Sequence, residues 1–200
     1  GKKAVKAYLA VFSTRALSLL QYRAAVLSGV ATQIFWGLIR VMIFGAFFSS
    51  TAAAQPMSYE DVITYIWIGQ ALIALLPWGV DGDIRQTIST GQVAYELVRP
   101  MDLHASWFMR ALAMRAVPTL MRATVLFLVA GIFLGLRSPP SMGAGFSFGA
   151  SLFGAWLLSS AITNFMCVTL LWTISGEGVT RLTPAIVNFL SGNIVPLAFF

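Results

Sequence analysis

The sequence predicts an all-α integral membrane protein, with an N-terminal amphipathic helix in the membrane interface and five transmembrane helices, all in one transmembrane domain over residues 1–200. Three observations predict it. Hydrophobic residues make up 58% of the chain and charged residues only 10%, against roughly 25% charged in soluble domains, and mean hydropathy is +0.81. Five stretches reach or approach the ~20 apolar residues needed to cross ~30 Å of hydrocarbon. The 13 Lys and Arg gather mainly on one side of those stretches, as positively charged loops do in membranes. The 15 Phe and 6 Trp supply ample apolar surface and argue against disorder. The single cysteine, Cys167, leaves no disulfide framework and no cysteine-based zinc site.

The first residues are basic and then apolar, like a signal peptide, but Arg15 and Arg23 interrupt the run and no small-residue cleavage site follows. An interfacial helix over 1–23 fits better. Val5, Leu9, Phe12, Ala16 and Leu19 share one face at helical spacing, with Lys3, Lys6, Thr14 and Gln21 largely opposite. Its lysines would face anionic lipid. A disordered tail running into a long first span is the alternative. Gly1 in place of Met points to a trimmed start.

The expected spans are 24–48, 62–80, 119–136, 146–174 and 184–200. Ser58 with Asp61 three residues on is a capping box opening the second. Thr183 before Pro184 reads as an N-cap and first helical residue of the fifth. Ser138, Pro139 and Pro140 break the chain between the third and fourth. Lys2, Lys3, Lys6, Arg15 and Arg23 precede the first span; Arg85, Arg99, Arg110 and Arg115 follow the second, with Arg122 just inside the third; Arg181 joins the fourth to the fifth. Residues 49–58 hold no Lys or Arg, and Arg137 is alone in its link. The N-terminus and the 81–118 loop are therefore expected in the cytosol. The same placement explains the net charge of +6 without nucleic acid.

The stretch 81–107 is the longest polar interval. It reads as two short helices: Asp83 caps the first, Gln86 completes the box and Gly91 ends it. Residues 92–99 form the second, stopped by Pro100. Ile84 with Ile88, and Val93 with Leu97, give each helix a small sticky face. That face suits docking into a groove on a soluble partner; packing under its own bundle is the alternative.

Three segments carry a family resemblance: SYEDVITYIWIGQALIALL, then IRQTISTGQVAYELVRP, then FLSGNIVPLAFF. With the basic start and Tyr22–Arg23 before the first span, the chain resembles small membrane subunits of the ABC-2 type permease family over its whole length. The chain has no GxxxxGK[ST] phosphate loop. The resemblance implies a separate ABC ATP-binding subunit, with ATP and Mg²⁺ on that partner and no cofactor on this chain. It implies a coupling helix between the second and third spans, placed on this sequence within 83–100. Asp83, Arg85, Gln86, Gly91, Glu96 and Arg99 are then the ATPase-docking residues. It further implies two permease subunits per transporter, identical or paired with a sister protein, in the bacterial cytoplasmic membrane. The family has six spans where five are read here. Seventeen residues from Pro184 reach only ~25 Å, so the natural chain is expected to continue into a sixth.

Arg40 invites explanation, since a mid-bilayer arginine costs ~2.5–3.5 kcal/mol on insertion scales. It either snorkels to outer headgroups or, sharing a face with Gln33, belongs to a gate or anion contact. Gln70, Asn164, Asn188 and Asn193 are further polar groups in the spans. With Gln33 and Arg40 they are the candidate translocation-path residues, helix–helix hydrogen bonding being the plainer use. Gly145 and Gly149 form a GxxxG suited to close packing, and Gly192 with Pro196 can loosen the fifth span. Trp78 and Trp172 fall near inner span ends, where an aromatic belt is expected.

No catalytic or metal constellation is expected. The single His104 has no companion at ligand spacing, the Asp81–Asp83 pair reads as caps, Glu177 lies in a turn, and no Asp or Glu falls in the expected span interiors. The leading expectation is a permease subunit of an ATP-driven exporter of amphiphilic or lipophilic compounds. A membrane scaffold or assembly subunit that transports nothing is the alternative.

Overall fold

The computed structural model describes residues 2–50, 55–173 and 176–199; Gly1, residues 51–54 and the expected span ends at 174 and 200 lie outside the described residues. The described residues are helical, without a strand. In order they form α1 (Lys2–Gln21), α2 (Arg23–Ser50), α3 (Tyr59–Leu72), α4 (Gly82–Ser89), α5 (Val93–Leu97), α6 (Leu103–Phe133), α7 (Met142–Thr173) and α8 (Glu177–Leu190). Single 3₁₀ turns follow α3 at Ile73–Leu75 and α8 at Leu197–Phe199.

α2, α6 and α7 are long and apolar enough to cross a membrane. The other two expected spans do not form single helices of that length among the described residues. α3 and α8 have 14 residues each, only ~21 Å at 1.5 Å per residue, short of ~30 Å of hydrocarbon. Hydropathy persists beyond their ends, but helical geometry does not. Past the 3₁₀ turn, Leu76 is extended and precedes Pro77. Past α8, Gly192 adopts φ 74°, a left-handed conformation that stops a helix. The loosening expected at Gly192 is thus a true end. Pro184 does not open α8 either: the N-cap is Gly176 and Pro184 lies inside the helix. Glu177 in the first turn suits the positive pole there.

The third expected span also starts earlier. α6 begins at Leu103, capped by Asp102, whose carboxylate accepts from the Ala105 N–H at 2.7 Å. Residues 103–118 are therefore helix rather than loop. Ser58 caps α3 as expected, accepting from the Asp61 N–H at 3.1 Å and donating its hydroxyl to the Asp61 carboxylate at 2.7 Å.

α6 is the hub, packed against α1, α2, α3 and α7. Its buried residues include Ala111, Ala113, Ala123 and Ala130, while Leu120, Leu128, Ile132 and Phe133 point outward. Alongside the larger Trp107, Leu112 and Leu126, these buried alanines let neighbouring helices approach closely, as in membrane helix packing. Trp67 of α3 fills the core with Ala71, Ala123, Leu126 and Ala130, and its indole donates to the Leu134 carbonyl at 2.9 Å. A methyl added to Gly37 would overlap the Trp67 ring, so glycine there lets α2 approach. The GxxxG of α7, suited to close packing within the subunit or between subunits, is open within this chain. A methyl at Gly149 meets nothing within 4 Å and one at Gly145 makes only an ordinary 3.8 Å contact with Pro139.

Candidate functional site

Two polar assemblies stand out. The first is a platform on the α1 side, built from α1, α4, α5 and the start of α6. Asp81, rather than Asp83, caps α4, accepting from the Asp83 N–H at 3.0 Å. Its carboxylate, 2% exposed, also lies 3.1 Å from the Arg15 guanidinium and 3.0 Å from that of Arg110. Asp83 pairs with the same two arginines, at 2.8 Å and 3.0 Å. Two acids and two arginines thus fasten α1 and α6 to the start of α4. The α1 face expected in lipid is only partly so: Val5 and Leu9 are exposed, while Phe12, Ala16 and Leu19 are half-buried on the helix that packs against α6. The Tyr8 hydroxyl accepts from the Asp102 N–H at 3.1 Å.

Beneath the platform sits Arg115 of α6, 6% exposed. It donates to the carbonyls of Leu76 and Gly79, each at 2.9 Å, and to the Thr163 hydroxyl at 2.8 Å. The extended chain after α3 has carbonyls that no helix satisfies, and the guanidinium takes that role.

The sticky face of the first loop helix turns inward, and that of the second does so only at Val93, Leu97 pointing outward. Ile84 is buried with Trp107 and Cys167, and Ile88 and Val93 pack on that cluster. Glu96 accepts from the Trp107 indole at 2.9 Å and Arg85 donates to the Thr180 hydroxyl at 3.1 Å, so two expected docking residues brace the loop from within. Gln86 and Arg99 are exposed as expected, and Gly91, at φ 75°, turns the chain between α4 and α5. The surface that α5 presents instead is apolar: Tyr95, Leu97 and Val98 are 74%, 62% and 81% exposed. Helical spacing carried a signal for this, since Tyr95 and Val98 lie three apart on the side away from Val93.

The second assembly is a cleft of ≈ 500 Å³ between α2, the end of α3, α6 and α8. Gln33, Arg40, Gln70, Asn188 and Asn193 all line it, so five of the six expected path residues converge. Asn164 does not; it is buried between α7 and α6, donating to the His104 carbonyl at 3.3 Å. Arg40 donates to the Asn193 carbonyl at 2.7 Å, and the Asn193 amide donates to Asn188 at 2.7 Å. The Tyr65 hydroxyl donates to the Gly192 carbonyl at 2.9 Å. Arg40 therefore holds the chain beyond α8. Arg122, counted in the sequence only as a charge near a span end, is part of this wall. No group of acids, His or Cys among the described residues could hold a metal ion.

A protein-family model described as ABC-2 family transporter protein matches residues 12–200. The chain belongs to that family. No curated protein and no solved structure matches it. Members of the ABC-2 family are membrane transport subunits and not themselves catalysts. In this ABC-2 protein, the platform and the cleft share α6, whose Arg110 and Arg115 serve the first and whose Arg122 serves the second.

Proposed function

We propose that this chain is the permease subunit of an ATP-driven exporter in the bacterial cytoplasmic membrane, with its N-terminus cytosolic. It contributes half of a translocation path and couples to a separate ABC ATP-binding subunit through the platform, in particular the segment 81–102. ATP and Mg²⁺ bind on that partner. The observation that carries this reading is the exposed apolar edge of α5. Tyr95, Leu97 and Val98 stand outward on an element whose other side is fixed by Ile84, Trp107 and the Glu96 hydrogen bond. An exposed apolar edge on a braced element transmits force from a partner instead of folding away from it. The open small-residue face of α7 around Gly149 and Gly154 supports a second permease subunit as the other partner.

The test replaces Tyr95 and Val98 together with Ala, expresses the chain with its neighbouring reading frames, and asks whether an ABC ATPase still co-purifies. We expect co-purification to fall about tenfold or more, as when central aromatic contacts of an interface are removed, with the variant's melting temperature unchanged. Unchanged retention of the ATPase would remove α5 from the coupling role. Cargo-stimulated ATP hydrolysis in reconstituted vesicles separates a permease from a scaffold subunit, which gives no stimulation.

A further inference from the structure

The cleft carries positive charge that the protein leaves unpaired. Arg40 and Arg122 both line it, and neither forms an ion pair among the described residues. Gln33 is 5% exposed, yet neither its amide nitrogen nor its amide oxygen has a hydrogen-bond partner, and the buried Nε of Arg122 has none either. Buried polar groups are nearly always satisfied, and an unpaired charge in a span is costly. The backbone accommodates the Arg122 head specifically: a methyl on Gly29 would come within 2.9 Å of its guanidinium carbon. A second chamber of ≈ 330 Å³ adjoins the cleft, sharing Arg40, Ile73 and Asn193 with it, and is otherwise lined mainly by side chains such as Leu72, Leu158 and Val187.

We infer that the cleft binds the phosphate-class head of an amphiphile, with the apolar part of the same molecule in the adjoining chamber. Guanidinium groups present N–H donors in a planar fork matched to phosphate oxygens, and the Gln33 amide adds a donor from α2. An oxyanion placed at either arginine meets a guanidinium that no carboxylate neutralises among the described residues, a match that neither a cation nor an uncharged head offers. The inference deepens the proposed transport role by naming the class of cargo, and rests on that role only for the word cargo; binding itself needs no ATPase.

The full chain, purified in an uncharged maltoside detergent, is titrated calorimetrically with dodecyl phosphate. Dodecyltrimethylammonium serves as the matched cation and inorganic phosphate as the head alone. Dodecyl phosphate is expected to bind saturably and the cation not to bind. Arg40→Gln and Arg122→Gln should each weaken binding about tenfold to a hundredfold, the worth of a charged hydrogen bond. Arg181→Gln, at an exposed site outside the cleft, should leave it unchanged. Gln33→Glu places a carboxylate among the arginines; it should abolish binding while preserving or raising the melting temperature. Wild-type affinity in a folded Gln33→Glu variant, or equal affinity for the cation, overturns the inference. Inorganic phosphate binding as tightly as the alkyl phosphate overturns the amphiphile, since the apolar chamber would then contribute nothing. All of these outcomes are read without a partner, so they stand or fall separately from the α5 docking test.

Discussion

The platform and the cleft both hold arginines in apolar surroundings, and they dispose of the charge in opposite ways. On the platform Arg15 and Arg110 close on Asp81 and Asp83. In the cleft Arg40 meets a carbonyl, and Arg122 lies against Gly29 with its buried Nε unsatisfied. Paired charge fixes geometry, because breaking one partner strands the other. Unpaired charge costs stability and remains available to something that arrives from outside. Rigidity and receptivity are thus written with the same residue type, the difference being whether a carboxylate is within reach.

Substitutions can break or sharpen that contrast. The largest effect is expected at Asp81→Ala, which removes the α4 N-cap and the buried carboxylate shared by two arginines, leaving both only the exposed Asp83; it should cost about 3 kcal/mol, read as a large drop in melting temperature in detergent. Arg115→Leu follows. It orphans the Gly79 carbonyl and leaves that of Leu76 only its bond from the Trp78 N–H, at about 1–3 kcal/mol for the orphaned group, and chemical denaturation should show the loss. Gly91→Ala should cost about 1–2 kcal/mol, because φ 75° is strained for any residue with a Cβ, although the space around it is open. Smallest is Arg122→Leu, expected within about 1 kcal/mol of wild type or more stable, since it removes an unpaired charge from a span. A loss there as large as that at Arg115 would mean the cleft is structural, and the contrast would collapse.

Much of this was legible in the sequence, and the failures have physical causes. Ser58 with Asp61, Gly91 and the long apolar run of α7 announced themselves because local chemistry decides them. The polar residues of the cleft were recognisable one by one, since any amide or guanidinium in an apolar run is conspicuous. The lengths of α3 and α8 were not legible: hydropathy reports burial in lipid, and an extended apolar segment such as 76–80 is as hydrophobic as a helix. The start of α6 was hidden because its first turns carry Arg110 and Arg115, which look like loop residues until Asp81 and the Leu76 carbonyl are seen beside them. That Glu96 and Arg85 bond to Trp107 and Thr180 was not legible, because these partners lie 11 and 95 residues away. Charge periodicity cannot reveal such distant partners.

The 31 residues of α6 make a rod of ~46 Å, longer than the bilayer's apolar layer is thick. Pro118 stands inside it, between Arg115 at the platform and Arg122 in the cleft, and lacks the N–H that would bond to the Met114 carbonyl. Mechanically, the rod carries one soft joint. Under the proposed coupling, a push delivered to the platform would reach the cleft wall across that joint, and the compliance of a single proline would set how much of the stroke arrives.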